Sequence, residues 1–182
     1  MSKIEEKIND YRLEEPILSI LKQVNKIKID ETILGEIKSY RIFDKQHEIK
    51  KIRGPEDFDT LLDIFDMIQR NKDRVCEIGL TYMSIEYDIK RFWTIAKDHL
   101  WLKTELIEMK NDPQRYTALS KTIPEVEERL SIIKLILDQV EIVTKNLNNT
   151  YNVGKEQAEA VKQKMYYRSI AADINSKSKE RV

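Results

Sequence analysis

Apolar residues recur every seven positions along the middle of the chain. Leu61, Ile68, Val75, Tyr82, Ile89 and Ala96 form one column, and Ile64, Ile78, Ile85 and Phe92 fill most of the places three residues further on. A stripe repeating at 3.5 residues marks a long helix that buries one seam against another helix. Its start is written in Arg53-Gly54-Pro55, a break that puts proline at a first helical position, followed by Glu56, Asp57 and Asp59, whose charges suit a helix N-terminus. The helix is expected to run to about Asn111, where Asp112-Pro113 stops it, a span of about 80 Å. A second stripe supplies the partner: Ile123, Val126, Leu130, Ile133, Leu137, Val140 and Leu147, with Thr144 its polar interruption. Thr122 and Glu125 have the spacing of a capping box around Pro124. The two stripes are expected to pack antiparallel across the Pro113 to Thr122 connection.

Shorter elements flank this pair. Ile4, Ile8 and Tyr11 give a brief amphipathic start, and Pro16 opens a helix through Ile17, Ile20, Leu21, Val24 and Ile27. Asp30 caps a further helix carrying Ile33, Leu34, Ile37 and Tyr40. Between Tyr40 and Ile52 the apolar residues keep no single period, and the segment reads as a hairpin or an irregular connection. Asn148-Asn149-Thr150 with Gly154 reads as a break, followed by a final helix from Lys155 to about Ile174. The expected fold is all-α, with a small N-terminal segment (residues 1–53), a long-helix antiparallel bundle (54–174) and a flexible tail (175–182).

Composition agrees with few, long helices: only four glycines and four prolines stand beside 35% charged residues in 182. Formal net charge is zero, which excludes a strongly basic nucleic-acid coat, so any contact with nucleic acid must rest on local asymmetry. One cysteine, Cys76, and two histidines, His47 and His99, supply neither an internal disulfide framework nor the ligands of a structural zinc site. The charged N-terminus lacks the apolar core of a signal peptide, and no apolar window is long enough to span a membrane. A cytoplasmic protein is expected.

Candidate chemistry is sparse. There is no Gly-rich phosphate loop, HExxH, CxxC or nucleophile elbow. Asp57, Asp59, Asp63 and Asp66 read as a solvated acidic face at a helix start. No catalytic residue, metal ligand or cofactor is therefore assigned. Asn71 falls in the seam between Ile64 and Ile78, where one amide fixes register or oligomer state. Basic and aromatic residues gather in two places. Lys162, Lys164 and Arg168 surround Tyr166 and Tyr167, with Lys177, Lys179 and Arg181 beyond, so that residues 155–182 carry seven basic and four acidic side chains. Lys90-Arg91-Phe92-Trp93 is the other cluster, with Trp101 about two turns further. Basic side chains track phosphates, and aromatic rings stack on unpaired bases.

From Thr122 to Tyr167, the run of Leu130, Ile133, Leu137 and Leu147, then the Asn-rich stretch, Tyr151, Val153 and Tyr166-Tyr167-Arg168, resembles the C-terminal part of phage recombination mediators. These are small helical accessory proteins that load a strand-exchange recombinase onto single-stranded DNA. The helix from Tyr82 to Lys110 with Tyr116 is similar to their helical body. The resemblance covers about half the chain; this chain is longer at its N-terminus and has Tyr151-Asn152-Val153-Gly154 where a more basic turn is the pattern. It implies a homo-oligomeric, non-enzymatic scaffold of phage-like DNA metabolism, acting on single-stranded DNA in the cytoplasm of a bacterial host. The competing expectation is a structural or assembly protein, such as a scaffold, tail or capsid chaperone, or adaptor, whose heptads bind protein partners only.

Overall fold

The computed structural model describes residues 7, 10–30, 32–103 and 111–179, with side chains described up to 173. Among these residues there is no strand. In chain order the helices are α1 (Ile17–Lys26), α2 (Ile33–Ser39), α3 (Phe43–Lys51), α4 (Phe58–Trp101), α5 (Asp112–Thr122) and α6 (Pro124–Lys179), with a 3₁₀ turn at Pro55–Asp57 leading into α4. The fold is all-α, and its two long helices, α4 and α6, pack antiparallel as the stripes require.

Two compact units share them. The first combines Met1–Leu34 with Gly79–Asp138, and the second Gly35–Ile78 with Gln139–Val182. In the first unit, Ile17, Ile20, Leu21 and Val24 of α1 are buried, as are Tyr82, Ile89, Ala96 and Leu100 of α4 and Val126, Ile133 and Ile136 of α6. Polar clips hold its N-terminal segment. Arg12 donates to the Thr122 carbonyl at 2.8 Å and pairs with Glu125, Arg129 donates to the Ile27 carbonyl, and Glu14 accepts from Lys103 and meets His99 Nε2 at 3.2 Å. Burial pushes the Glu125 carboxyl up, but Arg12 and the helix-start backbone N–H outweigh it and hold it below the usual range.

In the second unit, the irregular stretch from Tyr40 resolves into α3. Ile42, Ile49 and Ile52 are buried around it, and side chains of α6 receive its polar groups. Arg41 Nη2 donates to Gln139 Oε1 at 2.9 Å, the Ile42 N–H to Asn146 Oδ1 at 3.0 Å, and Gln46 Nε2 to Thr150 Oγ1 at 3.1 Å. Gln157 Nε2 donates to the Ile52 carbonyl at 2.6 Å. Residues 139, 146, 150 and 157 recur at sevens and fours, so they form a polar column along one face of α6.

Several boundaries differ from expectation. α4 ends at Trp101, not near Asn111; Leu100 is its last buried residue and Leu102 is exposed. Residues 104–110 lie outside those described. Asn111, Asp112 and Pro113 start a helix: Asn111 Oδ1 accepts the Gln114 N–H at 3.0 Å, and the connection to Thr122 is α5. The capping box does not form, since Thr122 ends α5 with its hydroxyl on the Ala118 carbonyl and Glu125 turns to Arg12. No break occurs at 148–154, and the expected final helix is a continuation of α6. The second stripe is buried at Ile123, Val126, Ile133 and Leu147 but shifted in between. Leu130, Leu137, Val140 and Thr144 are half-buried, and Ile136, Val143, Asn146 and Thr150 take the inner positions.

Along α4 the column from Leu61 to Ala96 is buried throughout, but the accompanying column is buried only at Ile64 and Ile78; Asn71, Ile85 and Phe92 are half-buried. Burial passes instead to Gly79 and Leu100, which sit one place further round the heptad. A helix with 3.6 residues per turn rotates about 20° per heptad against a seven-residue repeat, in this direction. The Asn71 amide finds a partner within the chain: its Nδ2 donates to the Tyr40 carbonyl at 3.2 Å.

Candidate nucleic-acid interface

In the second unit, α6 loses its packing after Val161, which is 3% exposed. Every residue from 162 to 173 is exposed. Lys162, Lys164, Tyr166, Tyr167 and Arg168 all lie on this stretch, where no ion pair to another described residue holds the three cations. Consecutive residues diverge by about 100° around a helix axis, so the two tyrosines face different quarters. Their rings meet edge to face, 6.0 Å apart at 62°, and are 64% and 69% exposed. Lys164, Tyr167 and Arg168 share one stripe with Ala160, Gln163 and Ala171, lining a shallow groove. Lys162 and Tyr166 stand on the other flank. Cationic arms beside open ring faces can hold phosphates while bases stack on tyrosine. The side chains of Lys177 and Lys179, and Arg181 altogether, lie outside the described residues.

The second cluster is in the first unit, so the structure does not gather the two basic groups into one compact body. Lys90 is exposed but pairs with Glu86 at 2.7 Å, one turn back. Arg91 is exposed, and Phe92 and Trp93 are half-buried. The cation that meets the rings is Lys97. Its ammonium lies 5.7 Å from the Trp93 ring centroid, 5.3 Å from Trp101 and 5.4 Å from Tyr116. Trp93 and Tyr116 are stacked at 6.1 Å and 11°, Trp101 meets Tyr116 edge-on at 5.4 Å, and the Arg115 guanidinium covers Trp101 at 5.4 Å. Trp93, Lys97 and Trp101 are four residues apart, a one-face spacing legible in the sequence. Tyr116 and Arg115 come from α5, and nothing local connects them to it.

The acidic residues at the start of α4 do separate things. Asp57 accepts the Arg53 N–H at 3.0 Å, and Asp59, Asp63 and Asp66 are exposed. His47 is exposed, whereas His99 belongs to the Glu14 clip. Among the described residues no helix is long and apolar enough to cross a membrane. No protein-family model, curated protein or solved structure matches the chain.

Proposed function

We propose that this protein is a non-enzymatic scaffold that binds single-stranded nucleic acid through the exposed end of α6 and gains strength by self-association, in the manner of an accessory factor of DNA recombination. The observation that carries the reading is the uniform exposure of residues 162–173, which leaves Lys162, Lys164 and Arg168 beside Tyr166 and Tyr167. Weak sites repeated in an oligomer add up through avidity, which reconciles binding with zero net charge. Because the heptad columns are largely buried within one chain, association between copies has to use other surface.

The test is anisotropy of a labelled oligothymidylate with the protein at rising salt. Three phosphate contacts give a slope of log K against log salt of about −2, roughly 20-fold weaker binding between 50 and 200 mM. Replacing Lys162, Lys164 and Arg168 with Glu should weaken binding at least about tenfold, flatten its salt dependence and leave helical content unchanged; binding of unchanged strength and salt slope in that variant refutes the reading. Met165 and Ile170, 42% and 37% exposed on the same stretch, favour a second reading, an assembly protein whose α6 end takes a protein helix. Under that reading the oligonucleotide does not bind at any salt.

A further inference from the structure

We propose that Trp93, Trp101 and Tyr116, with Lys97 and Arg115, form a clamp for a nucleobase carried on phosphate, separate from the end of α6. The inference takes the polymeric source of its ligand from the proposed function and otherwise stands on its own geometry. A ring cluster built only as core would be closed over, but Tyr116 is 41% exposed and Trp93 and Trp101 are half-buried. Trp93 and Tyr116 are within 11° of parallel with centroids 6.1 Å apart. Two rings holding a third between them stand about 7 Å apart, twice the roughly 3.4 Å rise per base, so a small outward movement of Tyr116 turns the pair into a sandwich.

The ammonium now at the rings sits on a flexible four-carbon arm. Lys97 is within 6 Å of three ring centroids and forms no ion pair with another described residue. When a base takes the ring faces, Lys97 can turn outward to the phosphate that the base brings. Arg115 is the second cation; it pairs with Asp112 at 3.6 Å while lying over Trp101, and its guanidinium can serve a phosphate from there. Electron-rich rings, two cations and an open face together select a planar, anionic ligand, which is the chemistry of a nucleotide.

Both tryptophans of the chain line this cluster, so tryptophan emission reports on it directly. The full-length protein is titrated with unlabelled oligothymidylate and, separately, with thymidine monophosphate, while anisotropy of a labelled oligonucleotide follows total binding. Saturable quenching is expected. Quenching by the oligonucleotide alone assigns the ligand to a strand, and quenching by the monophosphate assigns it to free nucleotides as well. Tyr116→Ala should weaken the quenching transition about 5- to 150-fold, the range of one stacked base, and Tyr116→Phe should restore it. Lys162, Lys164 and Arg168→Glu should lower total binding while the monophosphate arm is unmoved, which separates this site from α6. Anisotropy that rises with no change in emission overturns the clamp and leaves the α6 reading standing. Quenching that survives Tyr116→Ala also overturns it, as does the absence of quenching by either ligand.

Discussion

Replacing Asn146 with alanine tests the polar column that fastens α3 to α6. Asn146 is 5% exposed in the interior of α6, and its Oδ1 accepts the N–H of Ile42, itself 9% exposed, at 3.0 Å. That N–H precedes the first turn of α3, where no helical carbonyl is available to it. Alanine removes the acceptor, and stranding a buried donor costs about 1–3 kcal/mol. Against this, alanine in a helix is better than asparagine by up to about 0.7 kcal/mol. Asn149→Ala is the internal control, because Asn149 is exposed three residues later on the same helix and shares the propensity gain without the buried contact. Urea unfolding of the three proteins should show Asn149→Ala equal to or slightly more stable than the parent. Asn146→Ala should fall about 1–3 kcal/mol below that control, or roughly 2–12 °C in Tm for a chain of this size. Hydrogen exchange should locate the loss at the Ile42 amide. Equal shifts for the two alanines, with Ile42 still protected, would refute the column as a source of stability.

Three other outcomes follow from the packing and the charges. At Gly154 an added Cβ would stand 2.6 Å from Phe65 Cε1, so Gly154→Ala should destabilise, the overpacking cost of about 1–3 kcal/mol exceeding the gain of about 1 kcal/mol in helix propensity. In a Phe65→Ala background the same substitution should become stabilising, and a double-mutant cycle by urea unfolding reads the change of sign. Charges placed in the seam should differ sharply: Ile78→Asp buries a carboxylate at a position 4% exposed and should prevent stable folding, whereas Ile85→Asp, at a half-buried position, should fold with lowered Tm by circular dichroism. The hydrogen bond from Lys103, with help from His99, holds the Glu14 carboxyl below its ordinary value of 4.5, so its contribution is present above that pH and is lost as pH falls through the lower folded-state value. The Tm gap between the parent and Glu14→Gln should be open near neutral pH and should close in acid, as pH falls through the lowered folded-state value; a gap independent of pH would exclude the clip.

The heptad column of α4 was legible because it is a periodic property of one segment. Its companion column was only half legible, since the rotation of a 3.6-residue helix against a seven-residue repeat moves burial from Ile85 and Phe92 toward Gly79 and Leu100. The α6 stripe was legible at Ile123, Val126, Ile133 and Leu147 and shifted elsewhere, for a different reason. A two-helix seam needs one narrow face, but the short helices also pack on α6, and the added face brings Asn146 and Thr150 inside. Polar residues there look like a turn in the sequence because their partners, the Ile42 N–H and Gln46, are 104 residues away. Gly154 looked like a breaker for the same reason; mid-helix, it makes room for Phe65. In the candidate sites, exposed Lys and Tyr at the end of α6 could be read directly. Lys90 could not be separated from Lys97 without knowing that Glu86 holds the first and Tyr116 joins the second.

The exposure of the α6 end is itself a consequence of register, not of composition. Gly154 faces Leu61 and Phe65, and α4 runs antiparallel to α6, so each step forward on α6 is a step back on α4. Seven residues beyond Gly154 is Val161, the last buried position, and seven residues before Leu61 is Gly54, where the break ahead of Pro55 ends the partner. Past that point α6 has no α4 to cover it, and the column Leu147, Gly154, Val161 is continued by Arg168 instead of an apolar residue. Two separate parts of the sequence therefore agree: one ends the partner helix, and the other changes the chemistry of the face it would have covered. The resulting overhang, residues 162–173, extends about 18 Å at 1.5 Å per residue. A helix exposed over three turns, with its seam position charged, is the surface on which the proposed nucleic-acid binding rests. Extending α4 backward by replacing Gly54 and Pro55 with alanine would cover part of that face, and it should weaken oligonucleotide binding without removing a single basic residue.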